Sequence, residues 1–326
     1  MDLISYLLDA FIFSAIYGML AISLCLEYGF TGLTNFGKVA FFAIGAYTSA
    51  LLTTKYLIHS LIGLIIASLT SAMASIIISF SALKLREDYL AIVTISFSEI
   101  LRLILLNEEE ITGGAFGVRG IPSIIHLNLP IQLRLLIYSL ITCIVLTFSL
   151  SILIKITSSP FGRVLMAIRD NEIAINSLGK NTALFKAKAL AIGSAISGLA
   201  GGIYAHYLQY VNPSMFMSTL TFNIWVMIVL GGVTNLIGAI IGSILMTIFE
   251  RSTRILENIS ELPIEPHNLR MIIIGLLLII FTVIRNTETN KNNLIVKGEM
   301  LKLYEKSMLK IKRTKEFLNY NEKTYI

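Results

Sequence analysis

Residues 159–188 read SPFGRVLMAIRDNEIAINSLGKNTALFKAK. This polar, basic, helix-forming island stands between apolar runs at 133–156 and 187–208. Each run has the roughly 20 residues that a helix needs to cross a bilayer. A chain that alternates such runs with short charged islands is a polytopic helical membrane protein. The island is held at one surface of the membrane.

Composition agrees with this. Hydrophobic residues are 55% of 326 positions, charged residues 14%, and the mean hydropathy is +0.78. A soluble domain could not cover its surface with so little charge. The apolar runs are continuous rather than alternating, which excludes a membrane β-barrel. The net charge of +6 reads as Lys- and Arg-rich cytoplasmic loops rather than as a nucleic-acid surface. Cys25 and Cys143 lie inside apolar runs and read as small buried side chains. The first run starts at Leu3, behind Asp2 and without a basic cluster, so no cleavable signal is expected.

Spans are expected at 3–26, 36–54, 61–83, 89–106, 133–156, 187–208 and 270–285, with a Gly-rich eighth segment at 219–249. The loops orient them. Loop 107–132 carries Glu108, Glu109 and Glu110 against Arg119. Segment 155–188 carries Lys155, Arg163, Arg169, Lys180, Lys186 and Lys188, and tail 286–326 carries nine Lys/Arg against five Glu. Positive residues favour the cytoplasm. The island, the tail and the short loop with Lys84 and Arg86 are therefore expected inside, and 107–132 outside. A full crossing at 219–249 would leave the tail outside. The segment is instead expected to enter and return on the outer side as a broken or re-entrant element, with its tip at Gly231-Gly232. Residues 27–38 could form an irregular membrane turn, which leaves the side of the N-terminus open. One transmembrane domain, 1–285, is expected, followed by a basic tail, 286–326. Residues 294–318 of that tail fit a surface helix against anionic lipid or a solvated tail.

Within the island, Pro160 suits a helix start and Gly179 a left-handed helix end. Leu165, Ile168, Ile175 and Leu178 recur at helical spacing. One short amphipathic helix parallel to the membrane is expected.

Other candidates are weighed by their chemistry. Gly32-Leu33-Thr34-Asn35-Phe36-Gly37-Lys38-Val39 nearly spells a phosphate-binding loop. However, Val39 replaces the magnesium-binding Ser/Thr, and an apolar span precedes it. The chain is thus expected to hold no ATPase of its own. Glu99 and Arg102 share a helix face inside a span, where each unpaired charge costs about 2.5–3.5 kcal/mol. They read as an ion pair or as a polar lining of a path. Thr34-Asn35 and Thr234-Asn235 each follow an apolar run and could be breaks that expose backbone at depth. Gly193, Ser194, Ser197, Gly198, Gly201 and Gly202 have close-packing spacing. Tyr204, His206, Tyr207 and Gln209 read as an interfacial belt. His59, His126, His206 and His267 have no metal-ligand spacing, and no nucleophile–base arrangement suggests an enzyme.

Several motifs, in order along residues 20–250, carry a family resemblance. Gly162-Arg163, Ala167-Ile168-Arg169-Asp170-Asn171-Glu172-Ile173-Ala174 and Leu178-Gly179 resemble the coupling motif of ATP-binding-cassette importer permeases. They are most similar to those of the branched-chain amino acid importers. Tyr28 to Gly37, followed by Ala40 to Thr48, resembles that family's first signature. Arg86 to Thr94, running to Glu99-Ile100-Leu101-Arg102, resembles the second. Thr112-Gly113-Gly114 with Gly117 and Gly120-Ile121-Pro122 resembles the third. Leu199 to Tyr204, and Val229 to Gly232 with Gly238 and Gly242, complete the series. Lys38 stands where a His is common, and Glu87 where a Gly is common.

The second and third signatures favour the M-type subunit. The resemblance implies an all-α bundle like the type II importer permeases, in a prokaryotic plasma membrane. It implies an H-type permease partner, two ATPase subunits that bind the ATP and magnesium, and an extracytoplasmic substrate-binding protein. ATPase coupling is then expected of Gly162, Arg163, Ala167, Arg169, Asp170, Glu172 and Gly179. The translocation path is expected to involve Thr34, Asn35, Glu99, Thr112, Gly113, Gly114, Gly231, Gly232 and Asn235. The substrate class is branched-chain or other apolar amino acids, with urea or short amides as the alternative. An ion-driven secondary transporter or a membrane scaffold are readings of other classes.

Overall fold

The computed structural model describes residues 3–82, 87–125, 130–256, 272 and 275–276. The loop with Lys84 and Arg86, nearly all of the expected span 270–285, and the tail 286–326 with its expected helix at 294–318 lie outside the described residues. The chain divides into two units, Met1–Ile274 and Gly275–Ile326. The eleven α-helices below all belong to the first.

Helix α1 (Leu3–Leu24) runs directly into a π-helical turn, Cys25–Phe30. Gly32, with φ +76°, turns the chain into an irregular segment that ends at α2 (Lys38–Thr54). Helices α3 (Ser60–Ala82) and α4 (Glu87–Asn107) follow, and then the short α5 (Glu109–Thr112). Helix α6 (Ile131–Ser158) leads to α7 (Pro160–Asp170) and α8 (Glu172–Ser177), which replace the single helix expected over the island. The break is at Asn171, whose extended backbone (ψ 93°) interrupts the helix and whose side chain caps α8. Helices α9 (Thr182–Leu208), α10 (Ser218–Gly231) and α11 (Leu236–Leu256) complete the unit. A two-residue strand β1 (Val118–Arg119) pairs antiparallel with β2 (Tyr210–Val211).

Among the described residues, five helical stretches are long and apolar enough to cross a bilayer: Ile4–Phe30, Ser60–Ser79, Tyr89–Asn107, Ile131–Ser158 and Thr182–Leu208. These match five of the eight expected segments. The expected span 36–54 is the 17-residue α2, whose rise of about 25 Å falls short of a typical hydrocarbon core. Segment 219–249 is α10 and α11.

Contacts set the direction of each helix. Near the start of α1, Asp9 accepts a hydrogen bond from the Tyr207 hydroxyl at the end of α9, and pairs with Arg251 of α11 at 2.7 Å. The ring of His206 lies 2.9 Å from Ser49 Oγ in the second half of α2. The Tyr138 hydroxyl, near the start of α6, donates to the His206 carbonyl at 3.1 Å. At the other face, Arg169 of α7 reaches the Gly29 carbonyl at the end of α1. The chain therefore begins at the face opposite the 159–188 island, which answers the question that the sequence left open.

Helices α10 and α11 form an antiparallel hairpin. The backbones of Gly231 and Gly238 meet, as do those of Met227 and Gly242. Asn223 Nδ2 donates to Glu250 Oε1 at 2.7 Å near the open end. The tip, Gly232–Asn235, lies against the end of α1, where Cys25 Sγ donates to the Val233 carbonyl at 3.0 Å. Both ends of the hairpin thus lie away from its tip, on the side where α1 starts.

Lipid gives helices no hydrophobic reason to associate, so close packing and interhelical hydrogen bonds must hold them. The small-residue face of α9 serves this role. A Cβ on Gly45 of α2 would lie 2.1 Å from the Gly198 carbonyl oxygen. Ser23 and Ser197 meet at 3.2 Å, and Ser71 donates to the Phe41 carbonyl at 2.9 Å. Away from this core, α3 exposes Leu61, Ile65, Leu69, Met73 and Ile76 at helical spacing. Such a stripe suits hydrocarbon rather than water. The topology predicts that cysteines at exposed Ser214 and Ser252 react with an impermeant maleimide from one side of the membrane, and one at Ser177 from the other. Reaction of S252C and S177C from the same side would overturn the re-entrant hairpin.

Candidate functional site

The island is built by caps and one tight corner. Ser159 caps α7, Pro160 begins it, and Asn171 Oδ1 accepts from the Ala174 amide at 3.0 Å to start α8. Gly162 packs on the Thr157 carbonyl at the α6–α7 corner, and Gly179 (φ +76°) ends α8 in the left-handed conformation that the sequence predicts. Leu165 and Ile168 are buried, whereas Ile173 is 79% exposed and Leu178 75% exposed. The predicted apolar stripe therefore divides: its first half holds α7 to the bundle, and Leu178 faces away.

The predicted coupling charges also divide. Arg163 and Asp170 are exposed. Glu172 accepts from Lys186 Nζ at 2.6 Å and from the Thr182 hydroxyl at 2.9 Å, and so straps α8 to the start of α9. Ala167 accepts the Asn171 amide at the helix break. Arg169 turns back into the protein. Its Nη1 donates to the Gly29 carbonyl at 2.5 Å, while Nε and Nη2 reach Asp170 Oδ1 at 3.3 and 3.2 Å.

Beneath α7 lies a feature that the sequence reading missed. Lys38 Nζ and Glu27 Oε1 are 2.6 Å apart, and both side chains are 0% exposed. Asn35 Nδ2 donates to the second carboxylate oxygen at 2.9 Å, and its Oδ1 accepts the Gly37 amide at 2.8 Å. The carboxylate rests on Gly193 of α9, where any side chain would collide with it. The irregular segment is pinned at further points. The Phe36 amide donates to Thr94 Oγ1 at 3.0 Å, Trp225 Nε1 to the Asn35 carbonyl at 3.3 Å, and the Val39 amide to Thr221 Oγ1 at 3.3 Å. Phe36 stacks on Trp225 at 4.8 Å. Thr34 is half-buried in the same segment. The lysine of the apparent phosphate-loop motif is thus neutralised inside the protein by Glu27. The available signal was cost: an acid and a base flanking one Gly-rich segment in an apolar region must find partners.

The predicted path residues fall into three places. Asn35 and the hairpin residues Gly231, Gly232 and Asn235 converge near the end of α1. Asn235 is a helix cap there, accepting the Ile237 and Gly238 amides at 3.1 and 3.0 Å. Glu99 stands apart on α4, 45% exposed, with its carboxylate 2.5 Å from Arg102. Thr112, Gly113 and Gly114 lie toward the opposite face. Thr112 Oγ1 donates to the Leu105 carbonyl at 2.7 Å, and the two glycines adopt positive φ. Gly117 then seats this loop on Val211. The predicted aromatic belt is in part an internal connector. His206 is fully buried between Ser49 and the Pro122 carbonyl, and Tyr204 is buried too.

The arrangement is that of a multi-pass helical membrane protein with a two-helix surface island and an α10–α11 hairpin. The chain belongs to the family of permease components of branched-chain amino acid transport systems, whose pattern matches residues 6–282. It is 33% identical over 255 residues to the high-affinity branched-chain amino acid transport permease LivM of Salmonella typhimurium, covering 72% of this chain and 60% of that protein. It thus spans about three-fifths of that relative. It is 27% identical over 320 residues to the probable LivM permease of Methanocaldococcus jannaschii, covering 86% of this chain and 90% of that one. The probable LivH permease of the same organism is 24% identical over 251 residues, covering 74% and 78%. No solved structure matches the chain significantly.

Removing one partner of a buried ion pair leaves an uncompensated charge, at roughly 3–5 kcal/mol. Glu27→Gln and Lys38→Met should each lower the thermal unfolding temperature of the purified protein in detergent. The double replacement should lower it less than either alone. A double variant as unstable as the sum of the two singles would show that the charges act independently.

Proposed function

We propose that this chain is the M-type permease subunit of an ATP-binding-cassette importer for branched-chain or other apolar amino acids, in the cytoplasmic membrane of a prokaryote. The observation that carries the reading is the island itself. Helices α7 and α8 present Arg163, Asp170, Ile173 and Leu178 to the surface at the face expected in the cytoplasm. Exposed apolar side chains beside charges on a short helix suit insertion into a groove on another protein. Family membership supports reading that protein as one of two ATPase subunits, which bind the ATP and magnesium. An H-type permease subunit completes the pore, and an extracytoplasmic binding protein delivers the substrate.

The cycle follows from linkage. ATP and the loaded binding protein drive the pore only to the extent that each binds one of its two states more tightly. The island is where the ATPase end of that difference enters this chain. Glu99, half-exposed on a helix that otherwise faces outward with apolar side chains, supports a polar position on the path.

The test is uptake of labelled leucine and labelled urea in cells with and without the gene, with ATP present or depleted. ATP-dependent leucine uptake that disappears with the gene is expected. Loss of urea uptake alone would replace the substrate, and uptake that survives ATP depletion would overturn the importer class. The Arg163→Glu and Ile173→Asp variants should fail to retain the ATPase subunits on co-purification. Glu99→Gln should retain them while slowing uptake, and wild-type uptake would remove Glu99 from the path.

A further inference from the structure

Arg169 belongs by sequence to the island, yet its side chain, 34% exposed, also reaches back to the turn at the end of α1. Its guanidinium hydrogen bonds divide between two acceptors, the Gly29 carbonyl at 2.5 Å and Asp170 Oδ1 at 3.3 and 3.2 Å. The stem of the side chain lies over Gly32, where an added Cβ would come 3.1 Å from Arg169 Cγ. Gly29 sits inside the π-helical turn Cys25–Phe30. Its other side meets the hairpin tip so closely that a Cβ there would lie 1.9 Å from the Val233 carbonyl oxygen. The same carbonyl accepts the Cys25 thiol at 3.0 Å. One glycine is therefore gripped from two sides, by α7 through Arg169 and by the α10–α11 tip through Val233. A π-helical turn inside an α-helix is a local register change, and such turns recur at functional sites.

We infer that Arg169 is a positioning residue that clamps α7 to the turn at Gly29, so that displacement of α7 is passed to the tip of the α10–α11 hairpin. This rests on the reading of α7 and α8 as the ATPase-docking segment and adds the route by which their motion enters the membrane. The covalent links of α7 run through Ser159 to α6 and through the extended Asn171 to α8, not to the hairpin tip. The clamp also explains the residue type. A planar guanidinium holds the carbonyl and the neighbouring carboxylate at once, whereas an ammonium offers a point charge at the end of a flexible stem.

The experiment uses the complete transporter with Cys143→Ser as background, which leaves Cys25 as the reporter. Arg169→Ala and Arg169→Lys are compared for co-purification of the ATPase subunits, for ATP hydrolysed per leucine transported, and for the rate at which N-ethylmaleimide modifies Cys25. A hydrogen bond to a charged group governs local opening by about tenfold or more. In Arg169→Ala the ATPase subunits should remain bound, ATP should be hydrolysed with little leucine moved, and Cys25 should react about tenfold faster. Arg169→Lys, which keeps the charge and one donor, should fall between Ala and the parent on both measures.

Loss of the ATPase subunits from Arg169→Ala would make Arg169 a docking residue and overturn the clamp, as would an unchanged ATP-to-leucine ratio or an unchanged Cys25 rate. If Arg169→Ala does not accumulate, Arg169→Lys decides: parental coupling together with the parental Cys25 rate refutes the clamp. If the unsubstituted permease binds no ATPase, the functional reading fails separately, and the Cys25 rates still settle whether the joint exists.

Discussion

The Glu27–Lys38 ion pair sets the inner half of this protein. Two opposite charges with no access to solvent hold an irregular segment between α1 and α2 in one conformation. A membrane interior tolerates non-helical backbone only where protein satisfies its polar groups. Asn35, Thr94, Thr221 and Trp225 supply those partners here. The price of burying the charges is offset only while both are present and their remaining hydrogen-bonding positions are filled. Without the pair, the turn at 25–37 would lose the geometry that seats both α7 and the hairpin tip.

From that anchor the structure divides into a rigid side and a yielding one. Helices α2, α3 and α9 meet through small residues at near-contact distances, so that Gly45, Gly198 and Gly201 admit no side chain. Dense packing of this kind transmits displacement as a unit. At the opposite face, the loop with Thr112, Gly113 and Gly114 is closed by the β1–β2 pairing and by Tyr138 and His206. By contrast, α4 is the least buried of the five long apolar helices and exposes Ile92, Ile100, Leu103 and Ile104 on either side of the Glu99–Arg102 pair. A helix so placed is suited to border either lipid or a second permease subunit.

Much of this was legible in the residues. The apolar runs marked five spans because length and hydropathy are local properties, readable without knowing any neighbour. The hairpin followed from a conflict between charge and count: a full crossing at 219–249 would have put a basic tail on the wrong side. The caps at Ser159 and Pro160 and the left-handed end at Gly179 were likewise local. The single helix expected over the island failed at Asn171, where a side chain that caps the next helix competed with continuation of the first. The interfacial belt failed because hydropathy does not separate a lipid-facing histidine from one enclosed by Ser49 and a backbone carbonyl.

The sequence by itself thus determined the class of protein, the place of five long apolar helices and the family. Each of these depends on composition, periodicity or motif order along the chain. Beyond the Glu99–Arg102 pair on one helix face, tertiary structure decided which charges meet. Glu27 and Lys38 are separated by a segment of no regular period, and Arg169 finds Gly29 at a separation of 140 residues. Pairings of that kind leave no periodic trace in the chain. They arise where packed helices leave a charge one place to go, and the low dielectric of the interior makes that choice binding.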